Sequence, residues 1–475
     1  MDAETHPGLF QVGRKAGKMI EKSVIDAFEK RLGKDKVFTQ PEYRLAYSYD
    51  ATGLEFVPDM VVFPENEADV SNLLALAFQH RIPVTPRGAG VGYSGGSLPV
   101  EQGIVLVFTR MNRILHIDTE NFMAEVEPGV VTYDLQQAVE KKGLFYPPDP
   151  ASHKTSTIGG NVAENAGGLR CFKYGVTGDY VLELEAFLIT GEKIKSGSHT
   201  IKNVAGYDLK SLLVGSEGTL AVISKVVLKL LPLPEMRLTF RVNFQSLKKG
   251  AEFINQVISG RVYPSVLEFM DRTSLEAVHR YLELPLADQV QASVLVEIDG
   301  NRLELEERKN KLSAVVKGAE ATEFLEAQSE EEQDRLWLLR RSISPAIGRI
   351  KPKKINEDIV VPPSKIPEAV SFINDEAGKA GITVILFGHF GDGNIHTNLM
   401  VDPADPGEMQ RADQLLDKIL RYVISVKGSI TGEHGVGLTK KPFMAYQFSP
   451  LEIDLFRKIK TVFDPLNLLN PGKIF

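Results

Sequence analysis

Hydrophobic positions along the chain switch between a helical and a strand period, and the switches mark its elements. Met19, Ile20, Val24, Ala27, Phe28 and Leu32 recur at helical spacing and stop at Gly33, which predicts an amphipathic N-terminal helix packed on the domain that follows. The run Val61-Val62-Phe63 predicts a strand. Val70, Leu73, Leu74 and Ala77 then share one helical face, and a short strand follows over 82–85, so this stretch reads as βαβ-like. Further strands are expected over 104–108 and 123–126, with a helix over 133–142 capped by Thr132. A strand with its turn is expected over 182–192, and another over 220–231, stopped by Pro232 and Pro234.

Beyond Pro234 strands alternate with longer, more charged helices: strands over 237–243 and 293–299, a helix over 247–258. That pattern predicts an α+β second domain. Glu330-Glu331-Glu332 reads as the solvated first turn of a helix, where acidic side chains complement the backbone dipole. A helix from Pro367 leads into a strand over 382–387, and no repeat or low-complexity linker is visible. A domain boundary is therefore placed at Pro234.

Composition narrows the function classes. With 475 residues the chain exceeds one compact core, and 43% hydrophobic with 25% charged residues describes an ordinary globular protein. The net charge of −7, with no long basic block, argues against nucleic acid as a partner. No stretch approaches the roughly 18 apolar residues of a transmembrane segment, and the start has no signal-peptide core. A cytoplasmic location is expected, with peripheral attachment to the inner face of the membrane left open. Cys171 is the only cysteine, which excludes intramolecular disulfides and iron–sulfur clusters held by this chain alone.

Three small-residue segments crowd the first half. Pro86-Arg87-Gly88-Ala89-Gly90-Val91-Gly92-Tyr93-Ser94-Gly95-Gly96 follows a short strand but leads to Pro99 and another strand, not to the helix a Rossmann fingerprint requires. A nest of backbone N–H groups around an anion such as a pyrophosphate is the better reading. Thr157-Ile158-Gly159-Gly160-Asn161-Val162-Ala163-Glu164-Asn165-Ala166-Gly167-Gly168 implies close backbone approach to something large and flat, and Gly215-Ser216-Glu217-Gly218-Thr219 adds a tight entry into a strand. Together they fit an extended cofactor better than three unrelated turns.

The last quarter carries the chemistry. Gly388-His389-Phe390-Gly391-Asp392-Gly393-Asn394-Ile395-His396 reads as a hairpin with a two-residue Asp392-Gly393 turn, which pairs Gly391 with Asn394 and His389 with His396. Opposed Cβ atoms lie roughly 4.5–5.5 Å apart, close enough for both imidazoles to reach one divalent metal. Glu433, in Thr431-Gly432-Glu433-His434-Gly435-Val436-Gly437, is a natural third ligand. Two histidines and a carboxylate leave a position open, as catalytic sites do, and His434 remains as a base. For either histidine alone, a tight turn with exposed imidazoles is the plainer reading, and the joint register is what favours a metal.

These motifs, with the stretches KYGVTGDYV, GSEGTLAVIS and the terminal NPGKIF, resemble the flavoproteins of the vanillyl-alcohol-oxidase, or PCMH, type. Within them the chain is similar to glycolate oxidase large subunits, FAD-linked D-lactate dehydrogenases and D-2-hydroxyglutarate dehydrogenases, from about Pro58 to Phe475. The resemblance implies an α+β chain: an N-terminal helical segment (1–57), a PCMH-type FAD-binding domain of two α+β subdomains (58–233), a ferredoxin-like α+β substrate or cap domain (234–430), and a C-terminus returning to the FAD domain (431–475). It implies FAD around Arg87 to Ser94, Pro148, Asp149, Thr157, Gly159, Gly160, Asn161 and Ala163. Asn165, Gly168, Tyr174, Gly175 and Val176 would lie along the cofactor, Glu217 and Ile223 near its far end, and Asn470 over it. Non-covalent FAD is expected, since the pyrophosphate loop has no histidine and His153 is the only nearby one.

The resemblance also implies a divalent metal, zinc, ferrous iron or manganese, on His389, His396 and Glu433, with His434 as base. A substrate-carboxylate arginine is implied after Trp337. Helical spacing groups Leu336, Arg340, Ile343 and Ile347, so Arg340 is expected to point inward and Arg341 to be offset. The expected reaction is oxidation of a D-2-hydroxy acid of lactate, glycolate or 2-hydroxyglutarate type to the 2-oxo acid, with electrons passed to a non-NAD acceptor. Quinone, an iron–sulfur partner subunit and an electron-transferring flavoprotein stay open as acceptors, as does a homodimer. The alternative is an FAD-binding electron-transfer subunit of a larger oxidase complex, and a metal-dependent hydrolase would leave the glycine-rich segments unexplained.

Overall fold

Apolar runs and alternating stretches sort into two units in the computed structural model, which describes residues 19–475. The first unit comprises the described residues up to Gly167, Val176–Leu233 and Glu433–Phe475, and the second comprises Gly168–Gly175 with Pro234–Gly432. The C-terminus thus returns to the glycine-rich unit.

In the first unit β1 (Val37–Phe38), β2 (Met60–Val62), β3 (Val84–Arg87) and β4 (Ile104–Val107) form a sheet in the order β1-β2-β4-β3, with β2 and β3 both parallel to β4. All four residues of β4 are buried, the continuous apolar run expected of a strand covered on both faces. The helix Glu67–His80 buries Val70, Leu73, Leu74 and Ala77, capped by Asn66, whose Oδ1 accepts from Asp69 N at 3.0 Å. The predicted N-terminal helix runs Lys22–Leu32 and sinks Phe28 and Leu32 into the same core. Seven more strands follow: β5 (Ile114–Asp118), β6 (Met123–Val126), β7 (Leu144–Phe145), β8 (Val181–Phe187), β9 (Lys193–Gly197), β10 (Val222–Lys229) and β11 (Leu231–Pro232). β7 pairs with β11, and the rest form an antiparallel sheet ordered β5-β6-β10-β8-β9. Two local expectations change. Pro232 does not stop a strand but sits in the short edge strand β11, which proline tolerates. Thr132 is the first residue of the helix Thr132–Glu140 and not its cap; its hydroxyl lies in a buried network with Ser156 and Asn161.

The second unit is built on one antiparallel sheet of β12 (Met236–Phe244), β13 (Val266–Asp271), β14 (Ala292–Gly300), β15 (Glu323–Glu326), β16 (Lys353–Val360), β17 (Thr383–Gly388) and β18 (Asn394–Val401), ordered β15-β12-β14-β13-β17-β18-β16. With the helices Leu247–Ser259 and Arg302–Gly318, β12 to β15 make a ferredoxin-like βαββαβ half. The succession β16, helix Ile366–Ala380, β17, β18, helix Pro406–Ser425 repeats the first three strands of that plan in the same spatial order. Where a fourth strand would lie beside β16 the chain makes one bridge, Val360 to Ser429. No repeat was expected, because the halves share topology and not side chains.

The hairpin departs from its predicted register. Phe387, not His389, lies opposite His396, and His389–Gly393 form a five-residue connection. Phe390 is the physical reason: it leaves the ladder to stack on Phe269, centroids 4.3 Å apart, and is fully buried. The turn closes on His389 O, which accepts from Asp392 N and Asn394 N, and a Cβ at Gly393 would fall 1.9 Å from Val361 O. The slip is two residues, an even number, so the histidines keep one face. Phe390→Ala should lower stability by about 3–5 kcal/mol, read from urea unfolding; a loss below about 1 kcal/mol would show that the ring does not set this turn.

Candidate active site

A charged residue sits in the middle of the otherwise apolar β13. Glu268 is fully buried, and one step beyond the Phe269–Gly388 pair it faces His389 across the sheet. His389 Nδ1 lies 2.5 Å from its Oε1, and Arg340 Nε donates to Oε2 at 2.5 Å. Burial pushes the carboxyl pKa up, but Arg340 and His389 outweigh it and bring it down to about 2. An ionised carboxylate can only accept, so the His389 proton is on Nδ1 and Nε2 points away. That Nε2 lies 3.4 Å from Nε2 of His396, with the rings nearly perpendicular at 84°. Sequence reasoning missed Glu268, although a glutamate inside Val-Leu-Glu-Phe-Met is the signal that could have found it.

Arg340 reaches this group from the helix Glu330–Arg341, capped by Ser329 and bearing the acidic first turn that was predicted. Leu336, Trp337, Leu339 and Arg340 are buried, whereas Arg341 is exposed beside the Trp337 ring. The inward reading of Arg340 therefore holds. Its guanidinium lies 5.0 Å from the Phe387 ring, and among the described residues its Nη atoms take no protein hydrogen bond. At the end of this unit, Asp358, opposite His396 in the ladder, accepts from Thr431 Oγ1 at 3.0 Å and from Gly432 N at 2.9 Å.

The first unit holds a cavity lined by Arg87 to Tyr93, Thr157, Gly159, Gly160, Asn161, Ala163, Glu164, Glu217, Ile223, Glu433 and His434 among others. Backbone runs close here: a Cβ at Gly88 would lie 2.2 Å from Thr157 Oγ1. Arg87 is buried, and its Nη2 donates to Tyr49 O at 2.8 Å, while among the described residues Nε and Nη1 take no protein hydrogen bond, which leaves donors suited to an anion. The glycine cradle and this guanidinium together fit a pyrophosphate-bearing cofactor. Ser94, Pro148, Asp149, Asn165, Val176 and Asn470 lie in the same unit off the cavity wall. Asn165 ends the helix Ile158–Glu164 in a left-handed conformation and accepts from Gly178 N. Gly168, Tyr174 and Gly175 belong to the second unit, where Tyr174 donates to Asp299 at 2.7 Å.

Glu217 holds the loop that carries His434. Its carboxylate accepts from Val436 N and Gly437 N, each at 2.7 Å, while Asn470 Nδ2 donates to Glu217 O and Gly96 O, each at 2.7 Å. The His434 ring lies 5.3 Å from that of Tyr93. Lys473 Nζ donates to Leu98 O at 2.5 Å, and burial pulls its pKa down to about 7 despite Glu217 and Asp50.

Residues 58–197 match the model of an FAD binding domain, and residues 233–474 match that of the FAD linked oxidases, C-terminal domain. The chain belongs to the FAD-linked oxidase family. It is 43% identical to the glycolate oxidase subunit GlcD of Bacillus subtilis (strain 168), over 96% of this chain and 97% of that one. It is 33% identical to a D-lactate dehydrogenase of Anaerostipes hadrus, over 98% of each. The solved structure of p-cresol methylhydroxylase with substrate bound aligns with a TM-score of 0.79 at 17% identity, covering 95% of this chain and 96% of that one. That likeness establishes the PCMH-type fold for this FAD-linked oxidase. No helix among its described residues is long and apolar enough to cross a membrane.

Two outcomes follow from the buried charges. Glu268→Gln strands the Arg340 charge in the interior and should cost about 3–5 kcal/mol, visible as a lower urea midpoint; an unchanged midpoint would mean that the pair does not hold the sheet interior. Between pH 7 and 10.5 the unfolded chain keeps a proton on Lys473 that the folded chain has released. Stability should therefore rise across that window by up to about 1.4 kcal/mol per pH unit, and the rise should be smaller in Lys473→Met. Equal slopes in the two proteins would refute a depressed Lys473.

Proposed function

We propose that this FAD-linked oxidase converts a D-2-hydroxy acid to the 2-oxo acid, with Arg340 and His434 acting on the substrate beside a divalent metal on His389, His396 and Glu433. The observation that carries this reading is the 3.4 Å separation of the two histidine Nε2 atoms. Two nitrogen ligands at about 2.0–2.1 Å from a tetrahedral ion stand roughly 3.4 Å apart. Glu268 on Nδ1 of His389 supplies the carboxylate that typically orients a ligating imidazole. Glu433 follows Gly432 by one peptide bond, about 3.8 Å between Cα atoms, and Gly432 is pinned to the strand neighbour of His396. Reach along the chain thus supports Glu433 as third ligand, with zinc, ferrous iron and manganese all compatible with the donor set.

Bound FAD supplies the hydride acceptor, and a divalent ion would supply Lewis acidity toward the substrate hydroxyl. Arg340 has Nε committed to Glu268, which leaves its Nη edge for a carboxylate and fixes the acid's orientation. His434, on the loop that Glu217 anchors, takes the hydroxyl proton as general base, the task an imidazole most often performs. The names of the relatives favour a small hydroxy acid such as glycolate or D-lactate. Because one is named a subunit, a multi-subunit complex with an iron–sulfur or flavoprotein electron acceptor belongs to the same proposal.

Anaerobic flavin bleaching with glycolate, D-lactate, L-lactate and D-2-hydroxyglutarate, followed by turnover with an acceptor dye, tests this. One or two D-acids, or glycolate, should bleach the flavin, and His434→Asn should slow that step by about 10²–10⁴-fold. Bleaching by L-acids alone would sink the stereochemical assignment, an unslowed His434→Asn would remove the base, and full turnover after chelation with no bound metal would remove the ion.

A further inference from the structure

We propose that Glu164 is a neutral carboxylic acid that donates a hydrogen bond to the flavin in the first unit's cavity. This rests on the FAD reading of that cavity and adds a residue that tunes the cofactor.

Glu164 ends the helix Ile158–Glu164 and lines the cavity. Its slot exists because two neighbours lack side chains. A Cβ at Gly435 would lie 2.1 Å from Oε2, and one at Gly96 would lie 2.8 Å from Oε1. Oε2 is shut away from solvent with no protein partner, and among the described residues neither oxygen takes a protein hydrogen bond. A buried ionised carboxylate in that position would lack the donors that make such groups tolerable.

The surrounding charges press the same way. Glu217 faces it with its carboxylate committed to Val436 N and Gly437 N, and Asp50 adds a second acid. Lys473 is the opposing cation, but its Nζ is spent on Leu98 O and Asn470 Oδ1. Glu433 and His434 line the same cavity. Burial first, then Glu217 and Asp50, hold the Glu164 carboxyl well above the ordinary carboxylate range. A neutral carboxyl owns one O–H donor. Glu217 is the nearest carboxylate, and its two oxygens already accept from Val436 N and Gly437 N, so the Glu164 donor is assigned to the cavity that Glu164 lines, where the isoalloxazine ring offers carbonyl oxygens and ring nitrogens as acceptors. Reduction places more negative charge on those atoms, and hydrogen bonds to charged acceptors are the stronger ones. Glu164 therefore favours the reduced flavin, which helps the cofactor accept electrons.

Holoenzyme of the wild type, Glu164→Gln and Glu164→Leu tests this by FAD titration, flavin reduction potential and oxidised-minus-reduced infrared difference spectra. The wild type should show a protonated-carboxyl C=O band that shifts on reduction and is absent in Glu164→Gln. Glu164→Gln, which keeps a neutral donor, should hold the wild-type potential. Glu164→Leu should favour the oxidised form about tenfold, lowering the potential by about 30 mV for a two-electron couple. A band that persists in Glu164→Gln, no such band in the wild type, or a wild-type potential in Glu164→Leu would overturn the proposal. If Glu164→Leu does not fold, the infrared band of Glu164→Gln still decides. Wild-type apoprotein that fails to bind FAD at all would instead overturn the cofactor reading on which the proposal rests.

Discussion

The second unit turns on one ionised carboxylate buried where nothing else could solvate it. Glu268 sits in an apolar strand, and removing such a group from water costs several kcal/mol unless cations and donors replace the solvent. Arg340 and His389 are those replacements. Because the penalty for leaving either bond unmade is steep, both partners are fixed in place: Arg340 keeps its Nε inward, and His389 keeps its proton on Nδ1. A single electrostatic requirement therefore sets the orientation of an arginine able to grip a carboxylate and of an imidazole able to grip a metal.

A second buried carboxylate organises the first unit by a different route. Among the described residues Glu217 pairs with no arginine; it accepts two backbone N–H groups from the loop just after His434 and has Lys473 nearby. Burial outweighs these partners, so its carboxyl pKa is raised, whereas that of Glu268, paired with a full cation at contact distance, is depressed. The contrast follows from the partners and not from depth, since both are buried. It also explains why the glycines around His434 matter: Gly437 offers its N–H to Glu217, and Gly435 leaves room for Glu164.

Much of this was legible in the residues alone, and the failures have physical causes. Period placed the helix at 247–259 to within a residue, the stripe Val70, Leu73, Leu74 and Ala77 marked the helix at 67–80, and the acidic run marked the first turn of the helix at 330–341. Helical spacing alone turned Arg340 inward and Arg341 outward. The histidine pair was visible, but its register was two residues off, since a two-residue turn looks cheapest until Phe390 is known to need a place on Phe269. Glu268 was invisible to a search for glycine-framed motifs, as its partners lie 72 and 121 residues away along the chain. The placement of Gly168–Gly175 in the second unit was likewise beyond reach, because it depends on Lys173 and Tyr174 finding Asp299.

The incomplete repeat in the sheet gives these residues their setting. A full ferredoxin-like half would send a fourth strand along β16 and spend its backbone there. Here the chain bridges β16 once, at Ser429, and leaves the ladder immediately. Thr431 and Gly432 are then caught by the Asp358 carboxylate, with the Gly432 N–H also reaching Asp358 O. A continued strand would have alternated its side chains across two faces, burying Glu433 or His434 as ladder residues. Ending it after one bridge frees the glycine-rich stretch from the sheet's period, so that its conformation answers to Asp358 at one end and to Glu217 at the other. The stretch that carries Glu433 and His434, to which the proposal gives the metal and the proton, is thus held by two acids at its ends.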